Sequence, residues 1–432
     1  MKPPLERGLG LLGATATNML GMIGVGPFLT LPAMLTAMGG PHILYAWLAG
    51  AVLALCDGLV YAQLAAALPG SGGSYVYLRE AYQPFGLGKR MAFLYIFQVM
   101  LVAPLSISAG AVGFANYLSF FVPLTMLQKG LAAAALCVFM TWLLYRPTAT
   151  LGRMSVAMLV VVMATVGWVI AAGLLHFSWR QAFDFPHDPQ LWQHIGAVSL
   201  LAMYNYGGYN NVCNLGDEIR TPWKTMPRAI VASIVLVVLL YLTLSTVVLG
   251  TIPWQQAAAS PTIASDFIGQ VHGPAAARLM TGLILFVTAA SLFAVILGYS
   301  RVPYAAARDG QFFAVFARVH PRGHFPHISL LTLGGLSLPF CFLSLDRLIS
   351  WLILVQIVSQ FVWQCAGVIL LRRYRKDLSQ PFTMWLYPLP ALLSLLLWLY
   401  VFLSAGWEGQ LFALAFLAVG LLAYRGIDER SG

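Results

Sequence analysis

One carboxylate stands apart in a sequence otherwise poor in buried charge. Asp57 has Leu53, Ala54, Leu55, Cys56, Leu59 and Val60 around it. An acid in so apolar a stretch is stable only when it is protonated, hydrogen-bonded or paired with a cation. Two further stretches have the composition of interrupted helices. Gly21-Met22-Ile23-Gly24-Val25-Gly26-Pro27 puts three glycines and a proline within seven residues. Tyr204-Asn205-Tyr206-Gly207-Gly208-Tyr209-Asn210-Asn211 sets two adjacent glycines among tyrosines and asparagines. Glycine and proline weaken a helix. Backbone groups freed inside a membrane are tolerated only where they line a cavity or meet a ligand. Other reactive side chains are scattered. His42, His176, His187, His194, His272, His320, His324 and His327 fall at or near the ends of apolar runs. Cys56, Cys137, Cys213, Cys341 and Cys365 lie inside such runs, an odd and unspaced set that argues against disulfides and metal ligation. No catalytic cluster, metal or cofactor is expected.

The elements that must hold these residues follow from composition. The chain has 432 residues, 60% hydrophobic and 9% charged, whereas soluble domains carry about 25% charge. That composition excludes a soluble enzyme, a nucleic-acid binder and a disordered chain, and it predicts an all-α integral membrane protein. A hydrocarbon core of about 30 Å needs roughly 20 apolar residues per helix. Spans are expected near 10–36, 42–68, 90–121, 126–146, 151–175, 191–215, 229–250, 276–300, 327–344, 348–371, 382–403 and 407–424. The first continues well past signal-peptide length and shows no cleavage pattern. A β-barrel is excluded because these runs do not alternate. With the amino terminus inside, 20 of the 24 Lys and Arg residues fall in cytoplasmic segments. Lys129, Arg180, Arg278 and Arg347 remain outside. The positive-inside rule therefore predicts both termini in the cytoplasm, which also accounts for the +10 net charge. The interruptions open spans one and six, so the unit repeats every five helices and its second copy enters from the opposite side. That is the inverted-repeat pattern of secondary transporters. It divides the chain into 1–175, 176–371 and a final pair of helices with a short tail at 372–432.

Several motifs resemble the amino acid–polyamine–organocation superfamily, and within it the L-type amino acid transporter branch. They are Ile23-Gly24-Val25-Gly26-Pro27-Phe28, Leu59-Val60-Tyr61-Ala62-Gln63-Leu64, the run from Gly70 to Tyr82, and Tyr206-Gly207-Gly208-Tyr209-Asn210. The loops Gly216-Asp217-Glu218-Ile219-Arg220-Thr221-Pro222 and Ser300-Arg301-Val302-Pro303-Tyr304 continuing to Gly310 extend the match, so that it covers about residues 8–330. The resemblance implies a LeuT-type 5+5 inverted repeat of about 12 helices, with helices one and six broken, and alternating-access transport of amino acids or related amines. Several positions depart from it. Gln63 stands where the family usually has Glu. Span five has no Lys, with Thr165 near the expected level. Pro27 and Asp57 are more like the polyamine carriers, although Asn210 is neutral where those have an acid.

A substrate amino acid brings an ammonium and a carboxylate that both lose water at mid-membrane. The N–H groups of Val25 and Gly26, opening the second half of span one, suit the anion. Carbonyls near Met22 and Ile23, and those of Tyr204 and Gly207, suit the ammonium. By the resemblance, substrate contacts are expected at Met22, Ile23, Gly24, Val25, Gly26, Tyr204, Asn205, Tyr206 and Gly207, with Tyr204 as an outer gate. Pro104, Ser106 and Ser108 in span three form a small polar patch, of which Ser108 is the expected contact. Thr288 and Ser291 in span eight and Gln356, Ser359 and Gln360 in span ten are further lining candidates. Asp57 reads as a neutral structural bridge between two helices, as a proton-coupling group or as a contact to a cationic substrate. Arg301, Arg308, Asp309 and Arg318 after span eight, with Arg79 and Glu80 after span two, read either as solvated basic loops or as a salt-bridge gate at the inner exit. The function read from these residues is a secondary active permease or exchanger for amino acids in the cytoplasmic membrane. The alternative is a polyamine or other organic-cation carrier of the same superfamily. An ABC permease would not need the paired breaks, and a channel would want a continuous polar stripe. The partners implied are a small-molecule substrate and the bilayer, with no nucleic acid; uniport, exchange and proton coupling through Asp57 are the open modes.

Overall fold

The computed structural model describes residues 8–24, 26–146, 148–186 and 191–431. Among them there is helix but no strand, and one isolated parallel bridge joins Leu9 to Ile219. The first apolar run makes two helices, α1 (Leu11–Met22) and α2 (Gly26–Met38), bent by 40° at the glycine-rich break. Then come α3 (Ile43–Ala67), a short α4 (Ser74–Tyr82), α5 (Gly88–Leu118), α6 (Met126–Leu143) and α7 (Thr148–Leu174). The second set of elements begins with α8 (Trp179–Ala182) and α9 (Leu191–Tyr206). Four residues leave the helix before Asn211–Glu218 resume as 3-10 turns. After these lie α10 (Pro222–Thr251), α11 (Trp254–Ala259), α12 (Ile263–His272), α13 (Pro274–Tyr299) and α14 (Arg301–Arg308). The chain ends with α15 (His327–Ser337), α16 (Leu345–Gln356), α17 (Val362–Tyr374), α18 (Leu389–Ser404) and α19 (Trp407–Ser431).

Local chemistry sets these limits. Thr125 and Gln128 form a reciprocal capping box at the start of α6: Gln128 N donates to Thr125 Oγ1 (3.3 Å) and Thr125 N to Gln128 Oε1 (2.9 Å). Pro222 and Pro274 open α10 and α13, where a missing N–H costs nothing. The same rule shifts a boundary. The sequence predicts a span over 382–403, yet α18 begins only at Leu389, flanked by Pro388 and Pro390, which suit a first turn and not a helix interior. Pro339 likewise ends α15 after Ser337, leaving a 3-10 turn over Pro339–Phe342. Span ten is divided by a π-helical turn, Ile357–Phe361, between α16 and α17. The stretches read as loops after spans two and seven contain α4, α11 and α12. In α12, Ile263, Ala264, Phe267 and Ile268 bury one face, an amphipathic pattern too short to span a membrane.

Among the described residues, eight helices are long and apolar enough to cross a membrane, and α1 with α2 makes a ninth as a bent pair. His327–Phe342 and Leu389–Ser404 are shorter apolar helices. Leu131, Val138, Trp142, Leu239, Leu396, Leu403 and Leu411 are exposed large hydrophobics on these helices. Only a lipid solvent makes so many outward apolar side chains favourable. The chain is an all-α, multi-pass membrane protein.

Candidate functional site

The two helix breaks meet. Gly208 adopts φ +112°, a conformation that favours glycine, and a Cβ placed on it would lie 2.7 Å from the carbonyl carbon of Gly21 and 3.0 Å from Met22 N. The backbones of the two breaks are thus in direct contact. Side chains take up much of the polarity that unwinding frees. Asn18 Nδ2 donates to Tyr209 O (2.6 Å), and Val212 N donates to Asn18 Oδ1 (2.8 Å). From α10, Tyr241 Oη donates to Met22 O (2.7 Å) and lies 3.4 Å from Asn205 O. Gly207 N still reaches Met203 O (2.9 Å), so α9 keeps helical bonding up to the first glycine of the pair.

Between the breaks lies a cavity of about 110 Å³. That is several times the roughly 30 Å³ a water molecule takes up in the liquid, and it suits a small solute. Met22, Gly24, Gly26, Tyr204, Asn205 and Gly207 line it, as do Ser106, Thr288, Ser291, Gln356 and Gln360. Gly24 packs against Ser291 of α13, where a Cβ would come within 2.7 Å of Oγ. The half-buried ring of Tyr204 lies beside Gly26, its Cε1 3.4 Å from where a Cβ would stand. Three expected contacts and one lining candidate lie elsewhere. Ile23 is fully buried but does not line the cavity. The Tyr206 ring packs between Trp47 and Tyr241, with centroids 5.6 Å from each, and its hydroxyl donates to Trp47 O (3.2 Å). Ser108 Oγ sits 2.8 Å from both Pro104 O and Ser337 O, where it faces α15. Ser359 is buried but does not line the cavity. Val25 lies outside the described residues.

Sequence reasoning missed other parts of the wall. Tyr209 and Asn210 of the second break, Tyr95 of α5, Phe361 of the π-turn and Trp398 of α18 all face the cavity. Phe361 and Trp398 stack at 4.2 Å between centroids. Of the span-ten candidates, Gln356 and Gln360 do face the cavity. Gln360 connects outward from the cavity: its Nε2 donates to Ser74 Oγ (3.1 Å) and to Tyr61 Oη, and its Oε1 accepts from Gln98 Nε2 (2.7 Å).

Asp57 is wholly buried and lies behind the cavity wall. Tyr209 Oη donates to its Oδ2 (2.5 Å), while Ser394 Oγ (3.2 Å), Trp398 Nε1 (3.3 Å) and Cys365 Sγ (3.6 Å) reach its Oδ1. No cation pairs with it among the described residues. Tyr209 and Trp398 themselves face the cavity, so two side chains link the carboxyl to it. At the positions where the family pattern departs, Gln63 bonds to Gln380 Oε1 (3.1 Å) and accepts from Met384 N (3.2 Å). Thr165 donates to its own helix at Val161 O (2.8 Å).

A charged cluster forms where α4, α14 and the segment after the second break converge. Arg79 pairs with Asp309 (2.5 Å) and Glu80 (3.0 Å), and Glu80 with Arg375 (2.7 Å). Arg308 pairs with Asp217 (2.9 Å), and the buried Arg301 with the buried Glu218 (2.8 Å). Arg318 makes no ion pair among the described residues. Beside this cluster Leu9 N donates to Glu218 O (3.0 Å) and Arg220 N to Leu9 O (3.1 Å).

Comparison with known proteins gives a family match along nearly the whole chain. The model of the amino acid permease family covers residues 9–422. The branched-chain amino acid permease BcaP of Bacillus subtilis (strain 168) is 28% identical over 97% of this chain and 92% of its own length. The large neutral amino acids transporter small subunit 2 of Rattus norvegicus is 26% identical over 97% of this chain and 80% of its own. Cationic amino acid transporter 4 of Mus musculus is 26% identical over 86% of this chain and 61% of its own.

Proposed function

The chain belongs to the amino acid permease family, and on that premise we propose that it is a secondary transporter carrying neutral amino acids through the cytoplasmic membrane by alternating access. The observation that carries the reading is the contact between the breaks at Gly21 and Gly208, with the cavity beside it. A broken pair offers backbone donors and acceptors to a zwitterion without any fixed charge. Among the described lining residues there is no Asp, Glu, Lys or Arg. That favours a substrate whose own charges balance over a polycation such as a polyamine.

In this reading α9 and its 3-10 continuation form one interrupted span. Added to the nine spans and two shorter apolar helices, it makes twelve. Residues 1–175 and 176–371 are then inverted five-helix repeats, with 372–432 outside them. Both termini lie in the cytoplasm, as the distribution of basic residues supports, and the Arg79 and Arg301 cluster closes the inner end. Asp57 carries the coupled proton without touching the substrate.

Reconstitution into liposomes tests the proposal. Uptake of labelled leucine or alanine should proceed without ATP, saturate, and show counterflow when the lumen is preloaded. Uptake that requires ATP, or fails to saturate, would rule out a carrier. Binding of putrescine with no binding of any amino acid would move the substrate to the polyamine class.

A further inference from the structure

Among the described residues lining the cavity, one buried side-chain acceptor has no partner: Asn205 Oδ1. Asn205 is the penultimate residue of α9 and is 2% exposed. Its orientation is fixed by its other end. Nδ2 donates to Leu201 O (2.8 Å) one turn back and to Thr30 Oγ1 (2.7 Å) on α2. A carbonyl can only accept, so the nitrogen must face Leu201 and the oxygen must face away. It faces Gly26, the first residue of α2, where a Cβ would run into it. A buried acceptor left unpaired destabilises a fold unless something else supplies the donor.

Two of the nearby backbone acceptors already hold hydrogen bonds. Met22 O receives Tyr241 Oη (2.7 Å) and Gly24 N (3.1 Å), and Tyr204 O receives Gly207 N (3.3 Å). We infer that Asn205 Oδ1 accepts a hydrogen bond from the α-ammonium group of the substrate. The assignment rests on the amino acid reading above and gives it a chain-specific anchor. The geometry matches the charge pattern of a zwitterion: an acceptor for the ammonium stands beside the first turn of α2, whose N–H groups suit a carboxylate. Asn205 also bonds through Thr30 to the helix that supplies those N–H groups, so the two subsites are held in register.

The experiment measures binding to the full-length protein in lipid nanodiscs with leucine, its des-amino analogue 4-methylpentanoate and the amine 3-methylbutylamine. Asn205→Ala should weaken leucine and the amine by about tenfold or more, as for a lost hydrogen bond to a charged group, and leave 4-methylpentanoate unchanged. Asn205→Asp keeps the acceptor and should retain the preference for the amino compounds. Thr30→Ala removes the scaffold contact alone and should also retain that preference. If Asn205→Ala weakens all three ligands equally, or none, Asn205 is a scaffold residue and the assignment falls while amino acid binding stands. If wild-type protein binds no amino acid, the transport reading falls and takes the assignment with it.

Discussion

The hydroxyl of Tyr209 and the carboxyl of Asp57 lie 2.5 Å apart, so the unwound stretch after α9 is moored to the interior of α3. Any movement of the second break relative to α3 must strain or break that bond. Tyr209→Phe should therefore lower the transport rate more than it lowers thermal stability. Asp57→Ala would strand the Tyr209, Ser394 and Trp398 donors in a dry interior at about 1–3 kcal/mol for each orphaned group, and should lose far more stability than Tyr209→Phe. Asp57→Asn should keep amino acid affinity within a few-fold while abolishing the response of uptake to an imposed pH gradient. Melting curves and proteoliposome uptake, with and without the gradient, check all three variants.

Gly208→Ala adds one methyl group where the backbone of Gly21 leaves no room, at a φ that disfavours a side chain. Strain of this kind costs on the order of 1–3 kcal/mol, and here it falls on the contact between the breaks. Membrane yield should stay near wild type while uptake drops at least tenfold. Gly24→Leu should behave alike, since Ser291 already fills that space. Normal uptake by both variants would disconnect the breaks from transport.

Tyr204 lines the cavity beside Gly26, and in the proposed transport cycle it covers the bound solute. Tyr204→Ala would remove about 0.5–1.5 kcal/mol of aromatic contact, equivalent to roughly two- to tenfold in affinity. The loss should appear mainly as faster substrate release in a stopped-flow chase. An unchanged release rate would make Tyr204 a packing residue.

The two kinds of ion pair at the charged end should respond differently. Arg79 and Asp309 are 28% and 30% exposed, whereas Arg301 and Glu218 are 2% and 0% exposed. A solvated pair is worth about 0–1 kcal/mol, and removing one member of a buried pair costs about 3–5 kcal/mol. Arg79→Ala should barely shift the melting temperature, yet should raise labelling of a cysteine placed in the cavity by reagents added from that side. Glu218→Gln should lower the melting temperature by many degrees.

Much of this arrangement was legible because membrane-spanning sequence is constrained by one dominant cost. Backbone freed in lipid is so unfavourable that Gly24 and Gly208 mark their breaks without any structure in hand. Asp57 was conspicuous for the same reason. Its partners were not, since Tyr209, Cys365, Ser394 and Trp398 are 152 to 341 residues away in sequence, and nothing local to any of them points at a carboxyl. Tyr206 and Ser108 misled for a related reason. Residue type and depth place a side chain near the break, but whether it turns toward the cavity depends on neighbours such as Trp47 and Ser337. The short helices α4, α11 and α12 escaped notice because they are half-polar and far shorter than a span.

The parallel bridge between Leu9 and Ile219 ties the segment entering the first broken helix to the segment leaving the second by two backbone hydrogen bonds. Neither half-helix can swing out alone without exposing those amides to solvent. If the pair moves as one body, Leu9 and Arg220 stay protected from deuterium exchange throughout a transport cycle. If the halves part, both amides exchange at the frequency of opening. One isotope measurement, with and without substrate, would therefore time that parting from two peptide groups that carry no side-chain chemistry at all.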